Sequence, residues 1–230
     1  MKRSLTIYAS AALACGVVLA SLSGMTAVAA NAGQNAPIMT VIEQTKVDIN
    51  GVDHGWYSHS AQKADVILTP QLAVLEIASS AVGDRRKPAV TVTHLVISNG
   101  SSYTKSRRAV QYTQTTLTAA ALASATDEFN PYFIEAKFDA IGGIKLVGTR
   151  QYRAVGSGAR VRAFLEVALG LTAGELNHYG IGETTINFSL NAAGQPINIV
   201  VAGQSSTDPM TASETFASYN QPLTIYPPST

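Results

Sequence analysis

The segment Arg160-Val161-Arg162-Ala163-Phe164-Leu165-Glu166-Val167-Ala168-Leu169 decides how the chain is read. Taken two by two, Val161, Ala163, Leu165, Val167 and Leu169 fall on one side, with Arg160, Arg162 and Glu166 on the other. Such alternation is what a strand with one buried face requires. The same rhythm recurs outward from it. Tyr132, Ile134, Ala136 and Phe138 alternate with Glu135, Lys137 and Asp139, and Ile186, Phe188 and Leu190 with Asn187 and Ser189. Ile197, Ile199 and Val201 follow closely, and further strands are expected over residues 38–49, 66–77, 90–98, 109–117, 144–149 and 223–226. Asn50-Gly51, Asn99-Gly100, Gly142-Gly143 and Ala193-Gly194-Gln195 supply reversals between these runs. The alanine-rich stretch 119–129 and residues 172–176 are the places for one or two short helices. Strand-length runs punctuated by turns predict an all-β fold, a β-sandwich or barrel.

A different composition precedes this body. Lys2 and Arg3 are followed by an uncharged stretch that is apolar over residues 5–22 and ends in small residues at Ala29 and Ala30. A basic start, an apolar middle and a small-residue exit make a secretory signal, cleaved beside Ala29 or Ala30. A retained membrane anchor is the competing reading, because the uncharged run is long enough to span a bilayer. A lipid-modified Cys15 is another, but Ala12 stands where such sites carry a large aliphatic residue. The expected division is a signal over 1–30, an N-terminal extension over 31–50 and a sandwich domain over 51–230. Cleavage removes Cys15, the only cysteine, and with Lys2 and Arg3 gone the formal charge moves from +1 to −1. The product holds no disulfide, and its near-neutral charge supplies no field for nucleic acid. A chain of about 200 residues can bury a sizeable core without such bridges.

The residues of chemistry form no recognised constellation. No serine lies in a G-x-S-x-G elbow, and His54, His59, His94 and His178 are scattered. Asp53, His54, His59 and Asp65 offer metal donors without H-E-x-x-H or C-x-x-C spacing. Asp127, Glu128, Glu135 and Asp139 are carboxylates of the kind glycoside chemistry pairs, at spacings that say nothing about folded distance. No catalytic, metal or cofactor site is therefore expected. Basic residues are more suggestive: Arg150, Arg153, Arg160 and Arg162 flank Gly156-Ser157-Gly158. On a hairpin, Arg160 and Arg162 would share one face and offer a patch for sulfated glycans, phosphate groups or an acidic surface.

The stretch from Trp56 to Leu75, W-Y-S-H-S-A-Q-K-A-D-V-I-L-T-P-Q-L-A-V-L, resembles the early mature region of major pilin subunits of the common-pilus type. The resemblance implies a chaperone–usher pilin, an incomplete immunoglobulin-like domain completed by a neighbour's donor strand. Its partners would be copies of itself or other pilins, a periplasmic chaperone, an outer-membrane usher and a host surface receptor. In this sequence the donor would be Ile38, Thr40 and Ile42, or in the opposite register Met39 and Val41, and the acceptor's last strand 223–226. The expected function is a structural subunit that crosses the periplasm to an extracellular fimbria and supports adhesion. A secreted glycan- or anion-binding module and an envelope enzyme without a recognisable motif are the alternatives.

Overall fold

Residues 160–169 are helical. The buried positions are Val161, Phe164, Leu165, Ala168 and Leu169, spaced as one stripe of an amphipathic helix. Alternation had put Phe164 and Ala168 on the solvent side, yet both are core, and Phe164 has no exposed surface. Gly170, at φ 62°, ends this helix in the left-handed conformation that glycine adopts without a Cβ clash. Residues 132–139 are helical too. Asn130 caps that helix by accepting from the Tyr132 backbone N–H at 3.1 Å, and Pro131 fits the first turn, where its missing N–H costs nothing. Pro131, Ile134 and Phe138 are its buried stripe.

These observations come from a computed structural model, which describes residues 40–229 other than 51–55, 70, 85–87, 172, 179–180 and 205–208. The expected signal segment with Ala29 and Ala30, and the donor positions Ile38 and Met39, lie outside the described residues. The described chain begins with a meander of six strands: β1 (Thr40–Asn50), β2 (Trp56–Ile67), β3 (Ala73–Asp84), β4 (Ala89–Ser98), β5 (Ser101–Ser106) and β6 (Thr113–Thr116). Two helices follow, α1 (Ala119–Glu128) and α2 (Pro131–Asp139), then the hairpin β7 (Lys145–Gly148) and β8 (Gln151–Gly156). Helices α3 (Ala159–Leu169) and α4 (Ala173–His178) lead into β9 (Thr184–Leu190), β10 (Pro196–Gly203) and β11 (Met210–Ala217).

All eleven strands lie in one antiparallel sheet, ordered β6-β5-β4-β3-β2-β1-β11-β10-β9-β8-β7. The mostly-β expectation holds, but the strands form one continuous sheet where two packed sheets were expected. The first meander runs outward from the middle of the sheet, and the second returns from the far edge. They meet where β1 pairs with β11, from Ile42↔Ala217 to Ile49↔Met210.

One face of the sheet carries the helices. Phe138 of α2 stacks on Phe188 of β9, with centroids 4.7 Å apart, and meets Phe164 of α3 edge-on at 6.0 Å. Around these rings lie Ile186, Ile199, Val201, Met210, Val47 and Ile49, all essentially removed from solvent. The β8–β11 and β1 part of the covered face is thus a conventional apolar core. On β2 to β4 the same face changes character. Opposite Val47 the rows run through Ser60, Ser80 and Thr91, and opposite Ile49 through Ser58, Val82 and Ala89. Ser58, Ser60, Ala78, Ser80 and Val82 are only half-buried.

This arrangement corrects the donor-strand expectation. Thr40, Val41 and Ile42 belong to β1, which is hydrogen-bonded on both sides and sits in the interior of the sheet. Residues 223–226 are not a strand. Truncating Phe138 to Ala removes the ring that joins α2, α3 and β9. We expect urea denaturation to show a loss of about 3–5 kcal/mol with far-UV circular dichroism retained.

Candidate functional site

The covered face holds carboxyl groups where side-chain alternation demands core. On β1 the inward parity is Val41, Glu43, Thr45, Val47 and Ile49, and on β11 it is Met210, Ala212, Glu214 and Phe216. Glu43 is 5% exposed and Glu214 only 1%. Glu43 lies across from Phe216, and Glu214 across from Thr45, so the two acids are diagonal neighbours, roughly 7–8 Å apart at their Cα atoms. Two strands further on, Glu76 extends the Glu43 row through Ala64.

Few of these oxygens are satisfied. The Thr45 hydroxyl donates to Glu43 Oε1 at 3.3 Å, and the Gln62 amide to Glu76 Oε2 at 3.2 Å. Glu43 Oε2 and both carboxyl oxygens of Glu214 are buried without a hydrogen-bond partner. The two ion pairs seen among the described residues, His59–Asp48 and Lys63–Asp65, use the opposite parity of β1 and β2 and therefore the uncovered face. A buried polar group without a partner costs free energy comparable to a lost hydrogen bond, and more when it is charged.

Burial, then the neighbouring Glu128 and Glu76 carboxylates, push Glu43 up to about 8, against a smaller lowering by the Thr45 hydroxyl. Burial, then Glu43, raises Glu214 well above the carboxylate range. Burial, then Glu128, raises Glu76 to about 7. At neutral pH Glu43 is therefore mainly protonated and Glu214 is driven the same way, and a protonated carboxyl can donate as well as accept a hydrogen bond. Tyr219, whose hydroxyl donates to the Pro196 carbonyl, stands close enough for the Glu214 and Glu43 charges to help raise it, after burial and Tyr132.

Helix α1 brings Glu128 close enough to act on Glu43 and Glu76, and it is lightly packed. Thr118 caps it by accepting from the Ala121 N–H at 3.2 Å, yet Ala121 is the one fully buried residue among its ten. Leu122 and Ala125 add partly buried contacts to the core, and Phe129, just past its end, is buried. At the other end of the sheet, Val161, Leu165, Leu176 and Ile181 line a cavity of about 10 Å³, room for one water.

The residues singled out from sequence fall elsewhere. Arg160 and Arg162 lie on helix α3, where residues two apart point to nearly opposite sides, so they share no strand face. Arg162 donates to Asn177, Arg153 of β8 to Asn187 at 2.8 Å, and Arg150 sits in the β7–β8 turn at φ 56°. His59 holds Asp48 at 2.6 Å, and no serine hydroxyl bonds its ring among the described residues. Asp53 and His54 lie outside the described residues. Among those described, no three His, Cys, Asp or Glu side chains converge as a metal requires. Glu43 and Glu214 were missed, although each interrupts the apolar parity of its strand, and that interruption was the readable signal.

No protein-family model and no curated protein matches the chain. Among solved structures it is similar to LprF from Mycobacterium bovis, with a TM-score of 0.40 and 15% identity over 82% of this chain and 90% of that one. It is also similar to a β-barrel-like protein of domain of unknown function DUF1849 from Brucella abortus, with a TM-score of 0.32 and 10% identity over 79% and 99%. With β1 hydrogen-bonded on both sides inside one continuous sheet and residues 223–226 not a strand, the expectation of a pilin polymerising by donor-strand exchange is overturned.

Because the folded chain keeps protons on Glu43 and Glu214 that the unfolded chain releases from about pH 4.5, it binds more protons than the unfolded state. Stability is then fullest below that pH and declines as pH rises towards 8, by up to about 1.4 kcal/mol per pH unit for each such group. Urea midpoints measured from pH 5 to pH 8 should fall steadily, and Glu43→Gln should flatten the fall. A midpoint that climbs with pH would contradict the assignment.

Proposed function

We propose that this protein is an exported, non-catalytic binding protein for an amphipathic small molecule. The ligand lies on the covered face of β2 to β4 and ends against the carboxyls of Glu43 and Glu214. One observation carries this reading: three carboxyl oxygens, Glu43 Oε2 and both of Glu214, are buried without partners. Buried polar atoms in native proteins nearly always have a partner, and one supplied from outside the chain accounts for these three.

The surroundings support the same reading. Ser58, Ser60, Ala64, Ala78, Ser80 and Ala89 have short side chains, so a molecule can lie along the strands without displacing bulk. The apolar row Val41, Val66, Val74 and Ile97 bounds the seat on one side, and these residues are 0–4% exposed. The small apolar contact of α1 gives it the low local stability expected of an element that opens for a ligand. Export rests on the sequence of residues 1–30, which falls outside the described residues. Among the described residues no helix is long and apolar enough to cross a membrane.

Saturable binding of Nile red, with a blue-shifted emission, is the expected result for the purified protein. Ala78→Trp fills the seat and should weaken that binding at least tenfold, about 1.4 kcal/mol, with an unchanged melting temperature. Binding that is not saturable, or that survives the substitution in a folded protein, would count against the seat.

A further inference from the structure

We infer that the ligand's polar end is an organic ammonium group, held between Glu43 and Glu214. The inference rests on the binding reading above and adds the chemistry of the head group. Its first support is the sign of the surroundings. Beyond burial, Glu128 of α1 and Glu76 of β3 raise the proton affinity of Glu43 on β1, Glu128 that of Glu76, and Glu43 that of Glu214 on β11. Thr45, Gln62 and Tyr219 complete the polar groups around them. No lysine, arginine or histidine is paired with any of these acids among the described residues. A cation is the partner such a set lacks, because it favours the ionised carboxylates that burial and the neighbouring acids otherwise hold protonated.

The second support is the count of free acceptors. Glu214 is 1% exposed, and its two oxygens together with Glu43 Oε2 make three partnerless oxygens. A primary ammonium has three N–H donors and no acceptor, which matches that set when the carboxyls ionise. Arrival of the cation favours the charged carboxylates, so protons leave as the ligand binds. A bare metal ion is disfavoured by the same geometry, because no three acidic or imidazole side chains converge among the described residues.

Calorimetry of the purified protein with decylammonium, decanol and decanoate, in two buffers of different ionisation enthalpy, tests this. The expected result is decylammonium bound at least tenfold more tightly than decanol, with net proton release. Glu214→Gln and Glu43→Gln, each checked for fold by circular dichroism, should abolish that preference for the amine over the alcohol. Should Glu214→Gln fail to fold, Glu43→Gln decides alone. Decanol or decanoate bound as tightly as the amine would overturn the ammonium assignment and leave the binding reading standing. A preference that persists in a folded glutamine variant would overturn it equally. If none of the three binds, the binding reading falls with it.

Discussion

The antiparallel pairing of β1 with β11 is the contact on which the remaining structure depends. It joins residues about 170 positions apart along the chain, Gln44 opposite Thr215 for example. Each half of the sheet is a local meander whose neighbours are also neighbours in sequence. Neither half alone presents the whole covered face. Only when the two meanders close does Phe216 come to face Glu43, and Met210 to face Ile49. The helices between β6 and β9 can then bury their apolar stripes.

That same seam carries the buried acids, and the coincidence has an energetic meaning. Glu43 and Glu214 sit on adjacent strands at the centre of the sheet, where removing charge from water is most costly. A fold seeking stability alone would place a valine or leucine at each position. The chain instead keeps carboxyls of raised proton affinity near a helix that is small-sided and lightly packed. Light packing and unsatisfied interior occur together, while the aromatic cluster of Phe138, Phe164 and Phe188 on the far side of β11 is tightly filled.

Much of the strand content was legible because alternation over Thr40–Asn50, Ala89–Ser98, Thr184–Leu190 and Pro196–Gly203 is regular. The failures have physical reasons. In Ala159–Leu169 the apolar residues occupy so many positions that periods of two and of 3.6 both fit, and only Phe164 and Ala168 discriminate. Pro131–Asp139 was betrayed by its Asn130-Pro131 start, which is a helix-capping signal. Ser101–Ser106 and Met210–Ala217 are rich in hydroxyl and small residues, so hydrophobicity hardly marks them. The acids of the site were visible as exceptions within β1 and β11. Their convergence was not, because it depends on a long-range register that no local pattern encodes.

The two outermost strands of the sheet are its shortest. β6 and β7 have four residues each, and every residue of Thr113–Thr116 is exposed. Each therefore offers a foreign chain only a few unpaired backbone groups, too short a rail to template a stable ladder. A sheet this wide would otherwise be an invitation to edge-to-edge growth. Its width ends in short stubs, wholly polar only at β6, and their shortness is what limits growth at the edges.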